Sequence, residues 1–337
     1  MVKILHAADF HLDSPFAGLT SEQARARRRE GRENIARLAN YANAGHVDLV
    51  LLAGDLFDSG EIYRQTAETL AKALGTVEGR VFIAPGNHDY WDEKGPYAQV
   101  NWPENVHIFK SDALEAVELP ELNCVVHGAA FTAPECTDNL FGGFRAEEDG
   151  RIHIMVLHGD LDGNAHRYNS FSKAEVAESG LDYLALGHVH AFSGINRLWR
   201  TTWAYPGCPE GRGFDECGRR GILVGTVDKG EADVSLARRK YEIRTVDVTG
   251  REALEALETQ LPPGGTAADL YRVVFTGETA AGVDLEAVRA VAAERFYHLE
   301  LRDETRLTRD LWQRAGEESL TGLFLRGLLR RREAAAD

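Results

Sequence analysis

The chain has 337 residues and a mass of 37.2 kDa, so we expect one large domain followed by a smaller one. Hydrophobic residues make up 44% and charged residues 27%, a globular composition that excludes a disordered or fibrous protein. The net charge of −15 argues against a broadly basic, polyanion-binding surface. It does not exclude nucleic acid, because metal ions held by acidic residues supply local positive charge.

The cysteines and the apolar runs indicate the cellular compartment. Cys124, Cys136, Cys208 and Cys217 show no CxxC spacing, which predicts reduced thiols rather than a zinc site or a disulfide framework. The sequence shows neither a signal-peptide pattern nor an apolar run of about 18 residues, the length that a membrane span needs. We therefore expect a cytoplasmic protein that does not interact with membranes.

Short apolar runs alternate with helical patterns from residue 1 to about residue 190, which predicts an α/β sheet. A Gly, Asp, Asn or His cluster follows each run, so polar side chains fall at the carboxyl ends of strands, where open α/β sheets bind ligands. Ser21 is a plausible cap for the first helix. The predicted strands are 2–7, 47–53, 80–84, 124–129, 152–157 and 183–186, and the predicted helices are 22–44 and 62–74.

Hairpin patterns follow residue 190 and predict the strands that complete a second sheet; they cover 194–205, 220–228 and 232–249. The expected fold is therefore a two-sheet β-sandwich flanked by helices over residues 1–249. A small α/β capping domain is predicted over 250–302, with helices at 251–261 and 284–296, a turn at 262–265 and strands at 271–276 and 297–301. Residues 303–337 are predicted to be a C-terminal helical segment, with one amphipathic helix over 308–331.

Five polar clusters follow successive predicted strands: Asp9-Phe10-His11, Gly54-Asp55-Leu56-Phe57-Asp58, Gly86-Asn87-His88-Asp89, His158-Gly159 and Gly187-His188-Val189-His190. One histidine after a strand is a weak signal, but five clusters in this order are hard to explain as turn residues. Carboxylate, amide and imidazole groups suit two divalent ions about 3.5–4 Å apart, which promote phosphodiester hydrolysis. Asp55 is central in the order, and its two oxygens make it the best bridging candidate.

One of the candidate metal ligands has a competitor. His127-Gly128 also follows an apolar strand and could take the role of His158. We favour His158, because it follows the longer buried run and lies nearer to the last cluster in the sequence.

The five clusters resemble the motifs D-x-H, GD-x-x-D, GNH-D/E, H-G and GH-x-H of the calcineurin-type metallophosphoesterase superfamily, over roughly residues 1–190. A narrower resemblance is to DNA repair exonucleases of the SbcD and YhaO type. It is carried by 8–16, 53–58, Tyr205-Pro206-Gly207-Cys208-Pro209 and Gly213-Phe214-Asp215-Glu216, and extends to about residue 245.

The superfamily resemblance implies two metal sites that share Asp55: one of Asp9, His11, Asp55 and His190, and one of Asp55, Asn87, His158 and His188. It also implies that His88 protonates the departing ribose oxygen and that Asp58 orients His88. The expected cofactor is two Mn²⁺ ions, with Fe²⁺ or Zn²⁺ as alternatives.

The expected function is hydrolysis of DNA phosphodiester bonds by an exonuclease or endonuclease in DNA repair. A phosphodiesterase or phosphatase acting on a small nucleotide is the alternative, because the site chemistry is shared. A non-catalytic scaffold is disfavoured, since all seven candidate ligands are present together with His88. Possible partners besides DNA are an SMC-like ATPase, which the last helix could dock, and a second copy of the chain.

Arginines beyond the last cluster are candidate substrate-binding residues: Arg197, Arg200, Arg212, Arg219 and Arg220. Trp199 and Trp203 lie among them and could stack on exposed bases or anchor the core.

Overall fold

The computed structural model describes residues 1–58, 63–163, 166–218, 220–228, 230–234, 239–261, 267–280, 282–307 and 313–334. The chain divides into two compact units, Met1–Glu242 and Ile243–Asp337. Among the described helices, none combines the length and the apolar composition that a membrane span requires.

The first unit contains two six-stranded sheets and the helices that pack on them. Its strands are β1 (Val2–Ala7), β2 (Leu49–Leu52), β3 (Arg80–Ile83), β4 (Val106–Ile108), β5 (Glu115–Leu119), β6 (Cys124–Gly128), β7 (Ile152–His158), β8 (Tyr183–Gly187), β9 (Asn196–Leu198), β10 (Thr201–Ala204), β11 (Ile222–Val227) and β12 (Gly230–Val234). Its helices are α1 (Ser21–Ala44), α2 (Arg64–Leu74), α3 (Pro96–Gln99) and α4 (Lys173–Glu178).

The two sheets pack face to face. The first has the order β12-β11-β1-β2-β3-β4, with β1 to β4 parallel, and the second has the order β5-β6-β7-β8-β10-β9, with β6, β7, β8 and β10 parallel. Ile4 and Leu51 of the first sheet share one core with Ile154 and Val156 of the second. The predicted two-sheet sandwich is confirmed.

Helices α1 and α2 cover the outer face of the first sheet. Alternate strand residues point to opposite faces, so Leu5 faces Leu38 of α1 and Leu70 of α2 in a second core, whereas Ile4 faces the other sheet. Thr20, rather than Ser21, caps α1. Its side chain accepts from the backbone N–H of Gln23, and the Gln23 side chain accepts from the backbone N–H of Thr20.

One predicted hairpin belongs to a different sheet. Strand β11 pairs antiparallel with β1 in the first sheet, not in the second sheet as predicted for 220–228. Strands β9 and β10, within the predicted segment 194–205, do lie in the second sheet.

The second unit has a small sheet of its own, β13-β14-β16, over a separate core that includes Val246, Leu257, Val273 and Phe275. Its elements are β13 (Tyr241–Asp247), whose first two residues belong to the first unit, α5 (Ala253–Gln260), β14 (Leu270–Thr276), β15 (Glu278–Thr279), α6 (Leu285–Ala292), β16 (His298–Asp303), β17 (Arg306–Leu307) and α7 (Leu320–Ala334). Strand β13 falls within 232–249 and joins this sheet, not the second sheet of the first unit as predicted.

Two predictions for the second unit fall partly or wholly outside the described residues. These are the turn at 262–265 and the start of the predicted helix 308–331. Within the described part, a 3₁₀ turn at Gln313–Gly316 precedes α7, which begins only at Leu320.

Candidate metal centre

The five polar clusters meet where the two sheets approach each other at their strand ends. The loops after β1 and β2 are joined by hydrogen bonds from Asp9 N–H to the Gly54 carbonyl (3.0 Å) and from His11 N–H to the Asp55 carbonyl (2.9 Å). Asp9 in turn accepts from the backbone N–H of His188, after β8 of the second sheet, at 3.1 Å. The backbone itself therefore brings the clusters together.

Two glycines make this approach possible. A Cβ on Gly187 would lie 1.8 Å from the Ala53 carbonyl oxygen, so no other residue fits there without a shift of the backbone. Gly54 has φ +85, a left-handed conformation that favours glycine, and a Cβ there would lie 2.6 Å from His158 Nδ1.

The first group of candidate ligands consists of Asp9, His11, Asp55 and His190, whose donor atoms all lie within 4.8 Å of one another. His11 Nε2 is 3.1 Å from His190 Nε2 and 3.6 Å from Asp55 Oδ2. Asp9, His11 and Asp55 are buried, and His190 is half-buried.

The second group lies on the other side of Asp55. His158 Nε2 is 3.4 Å from Asp55 Oδ2 and 3.0 Å from Asn87 Oδ1, and the His158 and His188 rings are 5.2 Å apart. Asp55 Oδ2 thus contacts an imidazole of each group. The competing His127 is elsewhere, with its Nε2 3.0 Å from His153 Nδ1.

The hydrogen bonds of two imidazoles leave their lone pairs directed into the centre. His158 Nδ1 lies 2.9 Å from the Ala53 carbonyl and His190 Nδ1 lies 2.6 Å from Glu216 Oε1, so each Nδ1 donates to an oxygen that can only accept. Nε2 of His158 then faces Asn87 Oδ1, acceptor to acceptor. A cation between the two atoms would satisfy both acceptors.

The electrostatics of the buried groups also fit a cation. Burial, followed by the neighbouring Asp55, raises the pKa of Asp9 well above its usual range, as expected for a carboxylate without a sufficient counter-charge. Burial lowers the pKa of His11, His158 and His188 to about 4 each, so these imidazoles are neutral at pH 7, as metal binding requires. The donors are oxygen and nitrogen without thiolates, which suits manganese, iron or zinc.

His88 lies beside the centre, half-buried. Its Nδ1 is 3.1 Å from Asp58 Oδ1, and Ser14 Oγ donates to Asp58 Oδ2 at 2.7 Å. The hydrogen bond to Asp58 raises the pKa of His88. Burial alone would raise the pKa of Asp58, but the side chains of His11, His88 and Ser14 hold it well below its usual range. The pair is thus a carboxylate that orients an imidazole.

Asp89 has a structural role that the sequence did not reveal. Its buried carboxylate accepts from the backbone N–H groups of Asp55, Leu56, Phe57 and Gly86 and from the Tyr97 hydroxyl, at 2.6–3.2 Å. Asp89 therefore ties the loops after β2 and β3 together. Tyr97 lies in the short helix α3, and no local sequence pattern marks it as a partner of Asp89.

Glu216 is a second residue to which sequence reasoning gave no role. It is buried, and it contacts both His190 and Arg212. Burial alone would raise the pKa of Glu216, but hydrogen bonds from His190 and Arg212 hold it well below its usual range. The only sequence signal was its place in the segment Gly213-Phe214-Asp215-Glu216.

The candidate substrate-binding arginines separate into two places. Arg197 donates to the Trp199 carbonyl (2.9 Å) and Arg200 to Asp182 (3.1 Å), which precedes β8, at the opposite end from His188. The structure therefore does not bring these two to the strand ends. Arg212 and Arg220 do reach the centre, where both contact His190, and Arg219 lies outside the described residues.

The two tryptophans also differ, in how far their side chains are exposed. Trp203 is only 8% exposed and packs in the core against Tyr205, which favours the anchoring role over base stacking. Trp199 is 79% exposed, in the turn between β9 and β10.

Residues 2–192 match the model of the calcineurin-like phosphoesterase family, and the chain belongs to this family of phosphoester hydrolases. The family binds a dinuclear metal centre, and this chain has a cluster of candidate ligands for one.

Among curated proteins, the chain is similar to an uncharacterized metallophosphoesterase, YhaO of Bacillus subtilis, at 32% identity over 75% of this chain and 65% of that protein. It is also similar to the DNA double-strand break repair protein Mre11 of Methanopyrus kandleri, at 23% identity over 99% of this chain and 78% of that protein. A third relative is the SbcD component of the B. subtilis nuclease SbcCD, at 22% identity over 64% of each chain. The chain thus spans slightly less than two thirds of YhaO and of SbcD.

Proposed function

We propose that this chain is a metal-dependent nuclease that hydrolyses phosphodiester bonds in DNA and serves DNA repair. The observation that carries the proposal is the half-exposed His88, held by Asp58 directly beside a buried set of metal-type donors. A proton donor in this position serves a leaving group, which a structural metal site would not need. The similarity to proteins named as part of a nuclease and as a double-strand break repair protein supports DNA as the substrate.

We propose that Asp9, His11 and His190 would hold one metal and Asn87, His158 and His188 the other, with Asp55 serving both sites. When bound, two divalent ions activate water and stabilise negative charge on phosphorus. Manganese is the expected metal. Carbonyl and carboxylate partners hold the His158 and His190 rings, so their Nε2 atoms are oriented before any metal arrives.

His88 handles the proton of the leaving group. Breaking the P–O bond places negative charge on the departing deoxyribose oxygen, and the Nε2–H of protonated His88 neutralises this charge. Asp58 accepts the hydrogen bond from Nδ1 and stabilises the protonated ring, while Ser14 fixes the second oxygen of the carboxylate. The chain therefore supplies both an acid and the group that orients it.

An open pocket of about 600 Å³ lies beside His88 and has room for the nucleotide on the leaving side. Arg64 and Lys94 line it and are exposed, so this side of the pocket opens to solvent. Arg64 pairs with Glu68, whereas Lys94 has no ion-pair partner among the described residues. Asp92 also lines the pocket, so its charge is mixed, and its open side has room for a polymer that continues beyond the cleaved bond.

We further propose a partner and a cellular location for the chain. Helix α7 exposes Leu320, Leu323 and Phe324, which suits the docking of an ATPase of the SMC type. We also propose that the protein is cytoplasmic and that it forms a homodimer, which sedimentation tests.

The test is to incubate the manganese-loaded protein with labelled single-stranded, double-stranded and hairpin DNA, with a cyclic nucleotide and with an aryl phosphodiester. We expect cleavage of at least one DNA substrate. Cleavage of the cyclic nucleotide or the aryl ester alone would replace DNA with a small phosphodiester as the substrate. The absence of both manganese binding and cleavage would support a non-catalytic scaffold.

A further inference from the structure

We infer that Glu216 and Arg212 are positioning residues for His190, through which they set the affinity of one of the two metal sites. The inference rests on the proposed metal centre and adds to it two residues that are not candidate ligands. It follows from the contacts of a loop that begins after β10 and wraps around His190.

The contact between Glu216 and His190 sets the orientation of the imidazole. Glu216 Oε1 lies 2.6 Å from His190 Nδ1, and the Glu216 carboxylate is only 4% exposed. A carboxylate is an acceptor, so Nδ1 donates and Nε2 keeps its lone pair. That Nε2 lies 3.1 Å from Nε2 of His11, which places it in the first group of candidate ligands.

Arg212 holds the carboxylate in place. Its backbone N–H donates to Glu216 Oε2 at 2.8 Å, and its guanidinium donates to Oε1, also at 2.8 Å. Both oxygens of Glu216 are therefore occupied from one side, and rotation of the carboxylate away from His190 would break these bonds. A carboxylate that donates electron density to a ligating imidazole also makes it a better ligand.

The loop that carries Arg212 and Glu216 is itself fixed at two places. On one side, the Cys208 N–H and the Arg220 guanidinium both donate to the His190 carbonyl, the former at 3.1 Å. On the other side, buried Arg27 of α1 donates to the Gly211 carbonyl at 2.9 Å and pairs with Glu210. Helix α1, which is far from His190 in the sequence, thus fixes the loop that orients His190.

The contacts fit a role in positioning His190 better than a role in only holding the loop together. Arg212 and Glu216 satisfy each other without His190, so loop packing alone does not require the imidazole to point at the carboxylate. Helix α1 and Arg220 would hold the loop through backbone carbonyls in either case. The short Glu216–His190 contact is not needed to hold the loop. Its role is therefore to orient His190 for the metal centre.

The experiment compares manganese binding by the full-length wild type, Glu216→Gln and Glu216→Ala, using titration calorimetry and the manganese-induced rise in melting temperature. The matched control is Asp215→Asn, an exposed carboxylate one residue away. We expect Glu216→Ala to weaken one of the two binding events by about 10–100-fold and to leave the other unchanged. Glu216→Gln, whose amide oxygen still accepts from Nδ1, should weaken the same event less.

The metal-free proteins are measured in parallel, because Glu216→Ala leaves the Arg212 guanidinium without its partner. If that variant does not fold, Glu216→Gln alone decides the question. Equal manganese affinity in wild type and in the folded Glu216 variants would overturn the inference while leaving the metal centre standing. Failure of the wild type to bind manganese would instead overturn the proposed function.

Discussion

At the residue scale, the side chains of the centre are held by partners outside it. His158 is oriented by a backbone carbonyl, His190 by Glu216 and His88 by Asp58. Each partner fixes which ring nitrogen carries the hydrogen. The other nitrogen of each imidazole is therefore oriented before substrate or metal binds. Changes to these partners should therefore alter function without removing a candidate ligand.

Asp58→Asn should slow cleavage of DNA more than cleavage of an activated aryl phosphodiester. A deoxyribose oxygen needs a proton to depart, whereas a nitrophenolate leaves without one, so weakened support for His88 affects mainly DNA. We expect roughly a 10- to 100-fold fall in kcat for DNA, a fraction of the full general-acid contribution. Equal losses on both substrates would show that Asp58 acts elsewhere, for example on His11, 3.8 Å away.

His6 makes folding stability depend on pH. Its ring is fully buried between the Tyr183 hydroxyl and the Leu186 carbonyl, and burial lowers its pKa to about 3. Between pH 6.5 and 3 the unfolded chain therefore binds a proton that the folded protein does not, so stability falls as the pH falls. Relative to a His6→Gln variant, wild type should lose about 2 kcal/mol of unfolding free energy between pH 7 and pH 5.

Urea unfolding of both proteins across this pH range measures the difference. Parallel curves of unfolding free energy against pH would contradict the assignment to His6.

At the element scale, the loops after β2 and β3 depend on Asp89. Tyr97→Phe removes the hydroxyl that donates to Asp89 Oδ2 at 2.6 Å and leaves a buried carboxylate short of one donor. We expect the unfolding free energy to fall by about 1–3 kcal/mol. The control, Tyr63→Phe, changes a ring that is 51% exposed and should have little effect. Equal stability of the two variants would show that the four N–H donors satisfy Asp89 without Tyr97.

The first sheet shows what apolar patterns can predict. Strand β1 was predicted at its observed bounds, and β2 and β3 within three residues, because parallel strands covered on both faces are continuous apolar runs. The clusters after them were found for the same reason, since a strand end is visible as the point where an apolar run stops.

Long-range pairing was not visible in the sequence. Strand β11 is apolar enough for either sheet, and only its hydrogen bonds with β1, more than 200 residues earlier, decide its place. Glu216 illustrates the same limit at the site: a glutamate in a loop is usually exposed, and its burial follows from His190 and Arg212 together. The sequence does not separate Arg200 from Arg212, because only the short strand β10 and a few residues lie between them, whereas the structure pairs Arg200 with Asp182.

At the scale of the whole molecule, the two units have separate cores, so we expect two thermal transitions. All seven candidate ligands lie in the first unit. Manganese at about 100 times its Kd should stabilise that unit by about 2.7 kcal/mol per site and leave the transition of the second unit unchanged. Scanning calorimetry with and without manganese measures this.

The second unit's transition can be assigned with Val273→Ala, which opens a cavity in its core and should lower only that transition. A manganese-dependent shift of the transition that Val273→Ala lowers would contradict the placement of the metal centre in the first unit alone.

The most direct test of the central claim is the rate at which the manganese-loaded protein cleaves labelled DNA, compared between wild type and His88→Ala. We predict that the variant binds manganese as wild type does and cleaves DNA about 10²–10⁴-fold more slowly, because it keeps every candidate ligand and lacks only the acid. Equal rates of DNA cleavage by the two proteins would contradict the account.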